Sequence, residues 1–336
     1  FGLVSKLKKW DQNKFRQADP RKKGSTMEFG KIQNPQELNQ IDWRLPPLEP
    51  RTVQFLNTLS RPSGIAGLGQ TEFYVGTPAW GHKAWIGKIY PPKTKPAEFL
   101  SHYAQSFNTI ELNSSHYGIP NEPTVAKWRQ AVPANFRFCP KLLQQMSHDA
   151  RGLLDPQLQN MWYHFLDNLE QKRGPCFAQF PPHFDYSQKS VLFRFIEQWP
   201  KDFELALEFR HASWFTKGQV LPALTEYLQK KSVHGSGIGL VITDVAGRRD
   251  ILHNSVSAPF IFLRWVGNDL HPSDAVRAQL WSARLAELSR AGMQKAYFIV
   301  HEPDDVTAPE MATTLIKELN EEAGADLSPP LWIGHD

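Results

Sequence analysis

The sequence predicts an α/β fold, a TIM-like (β/α)8 barrel with an N-terminal extended arm, and three observations carry that reading. Eight short runs rich in β-branched and aromatic residues alternate with longer amphipathic stretches from about residue 72 onward. The roughly 265 residues involved match the about 250 typical of such a barrel. Neither GxGxxG nor GxxxxGKS/T occurs, so the rival open doubly wound sheet lacks its usual glycine-rich first turn.

Taken in order, residues 1–26 read as a basic leader without fixed structure. Its first 25 residues carry eight Lys and Arg against Asp11 and Asp19, a net of +6, which leaves about −2 for the rest of a chain whose total is +4. The folded body is therefore close to neutral, and a dedicated phosphate-binding face gains no support from overall charge. Residues 27–71 read as the arm, punctuated by Pro35, Pro46, Pro47 and Pro50 and ending in a glycine-rich link at Gly64, Gly67 and Gly69. Residues 72–336 make the barrel domain.

The expected strands are 73–77, 109–113, 137–141, 176–180, 204–210, 237–244, 260–265 and 296–301. The expected helices are 97–107, 156–172, 187–199, 218–230, 273–291 and 309–322. The stretch Val245–Pro259 has no helical period, so the sixth unit is expected to have lost its helix. No run of about 18 uncharged apolar residues exists to span a membrane. Two cysteines, Cys139 and Cys176, give no disulfide framework, which fits a cytoplasmic setting.

Barrels of this kind carry their chemistry at the C-terminal strand ends. In the second strand Ile110 and Leu112 suit the helix layer, which turns Glu111 and Asn113 inward; in the fifth, Leu205, Leu207 and Phe209 do the same for Glu208 and Arg210. Lys141, Gln179, Asp244, Arg264 and His301–Glu302 end or nearly end five more strands. Charged groups delivered to one rim by so many strands read as a site. A self-compensating ion plug satisfies the same pattern, but desolvating six charges is costly when apolar layers would fill the barrel. The aromatics Trp80, Trp85, Tyr90, Tyr117, Trp214 and Trp265 follow strands and offer stacking platforms or loop anchors. His148 and His301 are among seven histidines near loop starts. A divalent metal held by Glu208, Asp244, His301 and His148 or Glu302 is one arrangement these residue types permit. Cys139 shares the parity of Lys141 and is expected inside the barrel, inert.

The phrases VGTPAWGHKAWIGKIYPP (75–92), FNTIELNSSHYGIP (107–120), FRFCPK (136–141), QFPPHF (179–184) and LEFRHASWF (207–215) resemble the YecE-like family, the domain of unknown function 72, over about residues 72–265. The resemblance implies a TIM-like barrel and a pocket set of Trp80, Glu111, Asn113, Tyr117, Lys141, His148, Gln179, Glu208, Arg210, Asp244 and Arg264. The strand end His301–Glu302–Pro303 departs from the asparagine-rich end of many members.

The expected function is a hydrolase or lyase acting on an anionic or ring-containing, sugar- or nucleotide-like small molecule. Glu208 is its expected general base, Glu111 the acid partner, and Asp244 and His148 the further catalytic groups. Trp80, Asn113, Tyr117, Lys141, Gln179, Arg210, Trp214 and Arg264 are expected to bind substrate. A glycosidase-like use of Glu111 and Glu208, a nucleic-acid-binding module and a non-catalytic ligand-binding barrel are the alternatives.

Overall fold

The computed structural model describes residues 30–32, 34–59, 71–232 and 237–334. The leader (1–26) and the glycine-rich link expected near 64–69 lie outside the described residues. The barrel strands are β1 (Glu72–Thr77), β2 (Thr109–Leu112), β3 (Arg137–Pro140), β4 (Cys176–Gln179), β5 (Leu205–Glu208), β6 (Ile238–Asp244), β7 (Phe260–Val266) and β8 (Lys295–His301). They pair in parallel in the order 3-2-1-8-7-6-5-4. Bridges Phe138–Arg173 and Lys141–Phe177 close the seam between β3 and β4. Gly174 permits that closure, because a Cβ there would lie 2.8 Å from Cys139 Sγ.

Alternation sorts each strand between lumen and helix layer. Ile110, Leu112, Leu205, Leu207 and Phe209 pack outward into the larger core, as their apolar character requires. A smaller inner cluster fills the lumen. Tyr74 stacks on Tyr297 at 4.6 Å and Phe177 on Phe262 at 5.3 Å, with Cys139 and Val241 between strands. Cys139 is buried there as expected, and burial pushes its thiol well above the usual range.

The sixth unit shows how sequence and ring geometry meet. After β6 the chain makes a 3-10 turn, Ala246–Ile251, and then runs buried without regular structure to β7. Its missing helix is replaced by one from the arm, Pro50–Thr58, which packs against the helix Pro272–Ala291 on one side. On the other side Arg51 pairs with Glu226 of the helix Pro222–Ser232. The arm is thus not wholly extended. Pro50 pre-sets the φ of a first helical residue, and Thr52, Phe55 and Leu56 bury one face at i, i+3, i+4 spacing. Residues before this helix clamp the same unit: Arg284 donates to Pro46 O at 3.0 Å and Arg249 to Trp43 O at 3.2 Å. A further helix, Glu122–Ala131, was also not evident in the sequence.

Candidate functional site

The C-terminal end of the lumen is crossed by one connected polar network. Arg264 leaves β7 and reaches both sides of the barrel. Its Nε and Nη2 grip Glu111 of β2 at 2.8 and 2.9 Å, and its Nη1 donates to Glu208 of β5 at 2.8 Å. Asn113 donates to Glu111 Oε1 at 2.9 Å, and His301 Nε2 lies 3.2 Å from Oε2. Gln179 of β4 donates to both Glu208 oxygens at 2.8 and 2.9 Å, and Arg210 Nε to one at 3.1 Å. Gln179 Oε1 in turn accepts from Lys141 Nζ at 2.9 Å. Phe177 is the floor, its ring centre 5.9 Å from Lys141 Nζ and 5.5 Å from the Arg264 guanidinium carbon.

The two carboxylates share a fate. Burial alone would raise both, but Arg264 and His301 hold Glu111 well below the usual carboxylate range, and Arg264 and Arg210 hold Glu208 down at about 2. Both stay ionised at neutral pH, so Glu111 has no proton to give. The guanidinium also occupies the space between them that a glycosidase would need for substrate and water. The inner part of the network therefore resembles the ion plug.

Lys141 does not share that neutrality. Its side chain is buried, Gln179 accepts one of its three N–H groups, and among the described residues no carboxylate lies within ion-pair distance. Burial, then the adjacent Arg264, pushes its ammonium down to about 8. Arg264 and Arg210 thus pair with these two carboxylates, whereas among the described residues Lys141 makes no ion pair and feels them only at longer range. Burial and then Lys141 push His116 down to about 4, and His148 is also lowered. Both imidazoles are neutral at pH 7 beside that charge. Their rings lie 5.3 Å apart, with Tyr117, exposed at the rim, against His116.

Four expectations need correction. Asp244 does not enter the network: Val241 faces the lumen, so parity turns Asp244 outward. There Arg277 holds it at 3.0 Å, Trp281 Nε1 donates at 2.6 Å, and Arg249 pairs with it. Arg277 and then Arg249 overcome the upward push of burial and keep it ionised. Trp214 is fully buried, stacked on Phe209 at 4.4 Å and donating to Phe184 O, and so anchors a loop rather than meeting substrate. Trp80 is half-buried and packs edge-on against Trp128 at 5.6 Å, toward the helix layer. His148 is exposed at the rim, where its ring meets the Ser147 hydroxyl, and among the described residues it forms no hydrogen bond or ion pair with either glutamate.

The residue at the mouth of β6 is Thr243, which the sequence reading overlooked. It pairs in register with Arg264, and its buried hydroxyl has no hydrogen-bond partner among the described residues. Glu302, next to His301, belongs to a separate corner. Its carboxyl packs on Gly267, one oxygen accepts from Asp269 N–H at 2.9 Å, and the other has no partner among the described residues. Burial, then Asp274, pushes it up to about 8.

A metal finds no fit in this geometry. Among the described residues no group of three or more His, Cys, Asp or Glu side chains is placed to hold one. The set considered from sequence is split, with Glu208 committed to Arg264, Asp244 outside the barrel and Glu302 against Gly267.

Fold and mouth together define a TIM-like α/β barrel protein with a charged C-terminal end. The chain belongs to the family described as "Protein of unknown function DUF72", whose model matches residues 74–332, including the eighth strand. The UPF0759 protein YecE of Escherichia coli strain K12 is 27% identical over 264 residues, covering 73% of this chain and 92% of that protein. YunF of Bacillus subtilis strain 168 is 33% identical over 150 residues, 43% of this chain and 52% of YunF. Among solved structures, a DUF72 family protein from Enterococcus faecalis V583 aligns with a TM-score of 0.58 at 20% identity, over 74% of this chain and 98% of that one. One from Thermotoga maritima MSB8 gives 0.54 at 23%, over 74% and 97%. These likenesses establish the fold. No helix among the described residues is long and apolar enough to cross a membrane.

Proposed function

We propose that the barrel is a hydrolase or lyase that takes a small anionic substrate, sugar- or nucleotide-like, at its C-terminal mouth. The observation that carries this reading is Lys141, a buried cation that among the described residues has no carboxylate within ion-pair distance. Burying such a charge without an ion pair is costly, and an anion entering the mouth would offset the cost while accepting its two unused N–H groups. Arg210, part-buried beside Glu208, and the exposed His148 and Tyr117 supply a polar and aromatic rim around it. The roles expected of Glu111 and Glu208 change accordingly: they are fixed anions that hold Arg264 and tune Lys141. Two buried thiols suit a cytoplasmic setting.

The test is a thermal-shift screen with inorganic phosphate, pyruvate, citrate and sugar phosphates, on the wild type and on Lys141→Met. An anion that stabilises the wild type and not the variant supports the reading. Equal responses of both proteins to every anion would sink it.

A further inference from the structure

We propose that Lys141 is a covalent amine nucleophile, and that the substrate class is small carbonyl compounds bearing an anionic group, such as 2-oxo acids. The inference rests on the anion-binding reading above and adds a reaction to it. Three features converge. The amine stands at the C-terminal end of the barrel with two of its three N–H positions unused. Its nitrogen lies 5.9 Å and the Arg264 guanidinium carbon 5.5 Å from the centre of the same Phe177 ring, so burial and a nearby like charge disfavour its protonated form. Thr243 brings to the same end of the lumen a buried hydroxyl that has no hydrogen-bond partner among the described residues.

An amine so placed is neutral in a sizeable fraction of molecules near pH 7.5, where an exposed lysine is almost wholly protonated. The nitrogen lone pair attacks the carbonyl carbon, the C=O π pair moves to oxygen, and a proton passes from nitrogen to that oxygen. The carbinolamine then loses its hydroxyl, which takes a proton from solvent and leaves as water. A protonated imine remains. No electron is gained or lost, and the positive charge that Arg264 and burial disfavour on the ammonium now sits on a delocalised C=N. The substrate's anion would lie beside the guanidinium groups of Arg210 and Arg264.

The test is incubation of the full chain with pyruvate and sodium cyanoborohydride, with peptide mapping by mass spectrometry. The hydride converts the imine to a stable secondary amine, so each reacting lysine keeps the reduced three-carbon adduct. Adduct formation at Lys141 at least about tenfold faster than at the other lysines is expected, as is suppression by excess inorganic phosphate. Lys141→Arg, which keeps the charge and removes the nucleophile, is expected to lose that adduct while still being stabilised by phosphate. Labelling of Lys141 no faster than of surface lysines would overturn the proposal. If phosphate still stabilises the protein through Lys141, the imine step alone falls; if it does not, the anion-binding reading falls with it.

Discussion

Replacing Lys141 by Met should make the free protein more stable. An ammonium moved from 10.5 to about 8 is held at a cost. At about 1.4 kcal/mol per pKa unit that cost is roughly 3 kcal/mol at neutral pH. Met keeps most of the volume and removes the charge, but it leaves Gln179 Oε1 without its donor, which costs about 1–2 kcal/mol. The net expectation is a gain of about 1–2 kcal/mol. The assay is equilibrium unfolding in urea at pH 6.5, below both the folded and unfolded pKa values, so that the charge is fully present in the wild type. The sign follows from linkage. Because the folded pKa is the lower, the unfolded chain holds more protons between pH 8 and 10.5, and wild-type stability should rise with pH across that window. The variant should lack the rise. A loss of more than about 2 kcal/mol on substitution would refute the reasoning, since it would make Lys141 a needed member of the ion network.

Other expectations follow from the same geometry. Arg264→Leu strands two buried carboxylates and should cost at least about 3–5 kcal/mol by denaturant unfolding, with Arg264→Lys recovering only part because the two-pronged grip on Glu111 is gone. Glu208 is depressed to about 2, so its contribution, present above about 4.5, should be lost as pH falls toward 2; Glu208→Gln should flatten that acid limb. Glu302 has the opposite sense: raised to about 8, it lets stability fall as pH climbs from 4.5 to 8, and Glu302→Gln should be progressively stabilising across that range in thermal melts. Leu56→Ala, in the arm helix that fills the ring's gap, should cost about 2–5 kcal/mol by urea unfolding, whereas a loss under 1 kcal/mol would mean the arm is merely laid on the surface.

The barrel was legible because strand and helix periods alternate cleanly. Glu111 and Glu208 were legible because apolar neighbours on β2 and β5 left no doubt about parity. β6 offered no such contrast: Leu240, Val241 and Ile242 are apolar on both faces, as a doubly buried parallel strand requires, so the charged residue at its end passed for the inward one. Thr243 was hidden by the same ambiguity. The helix Glu122–Ala131 buries only Val125, too little for a periodic signal. The arm helix was masked by the prolines around it, although Pro50 at its first position was itself a start signal. Trp214 shows the limit of rim counting, since a large aromatic after a strand packs as readily under a loop as over a ligand. Which of Lys141, Arg210 and Arg264 pairs with a carboxylate could not be read at all, because it depends on side-chain reach across the lumen.

The most direct measurement is the pKa of Lys141 itself, from the side-chain carbon shifts of 13C-lysine-labelled protein followed by NMR from pH 6 to 11, with Lys141→Arg identifying the resonance. A midpoint near 8 that rises when phosphate is bound is the expected result. A midpoint at about 10.4, that of an ordinary exposed lysine, and indifferent to phosphate, would contradict a poised cation at the mouth.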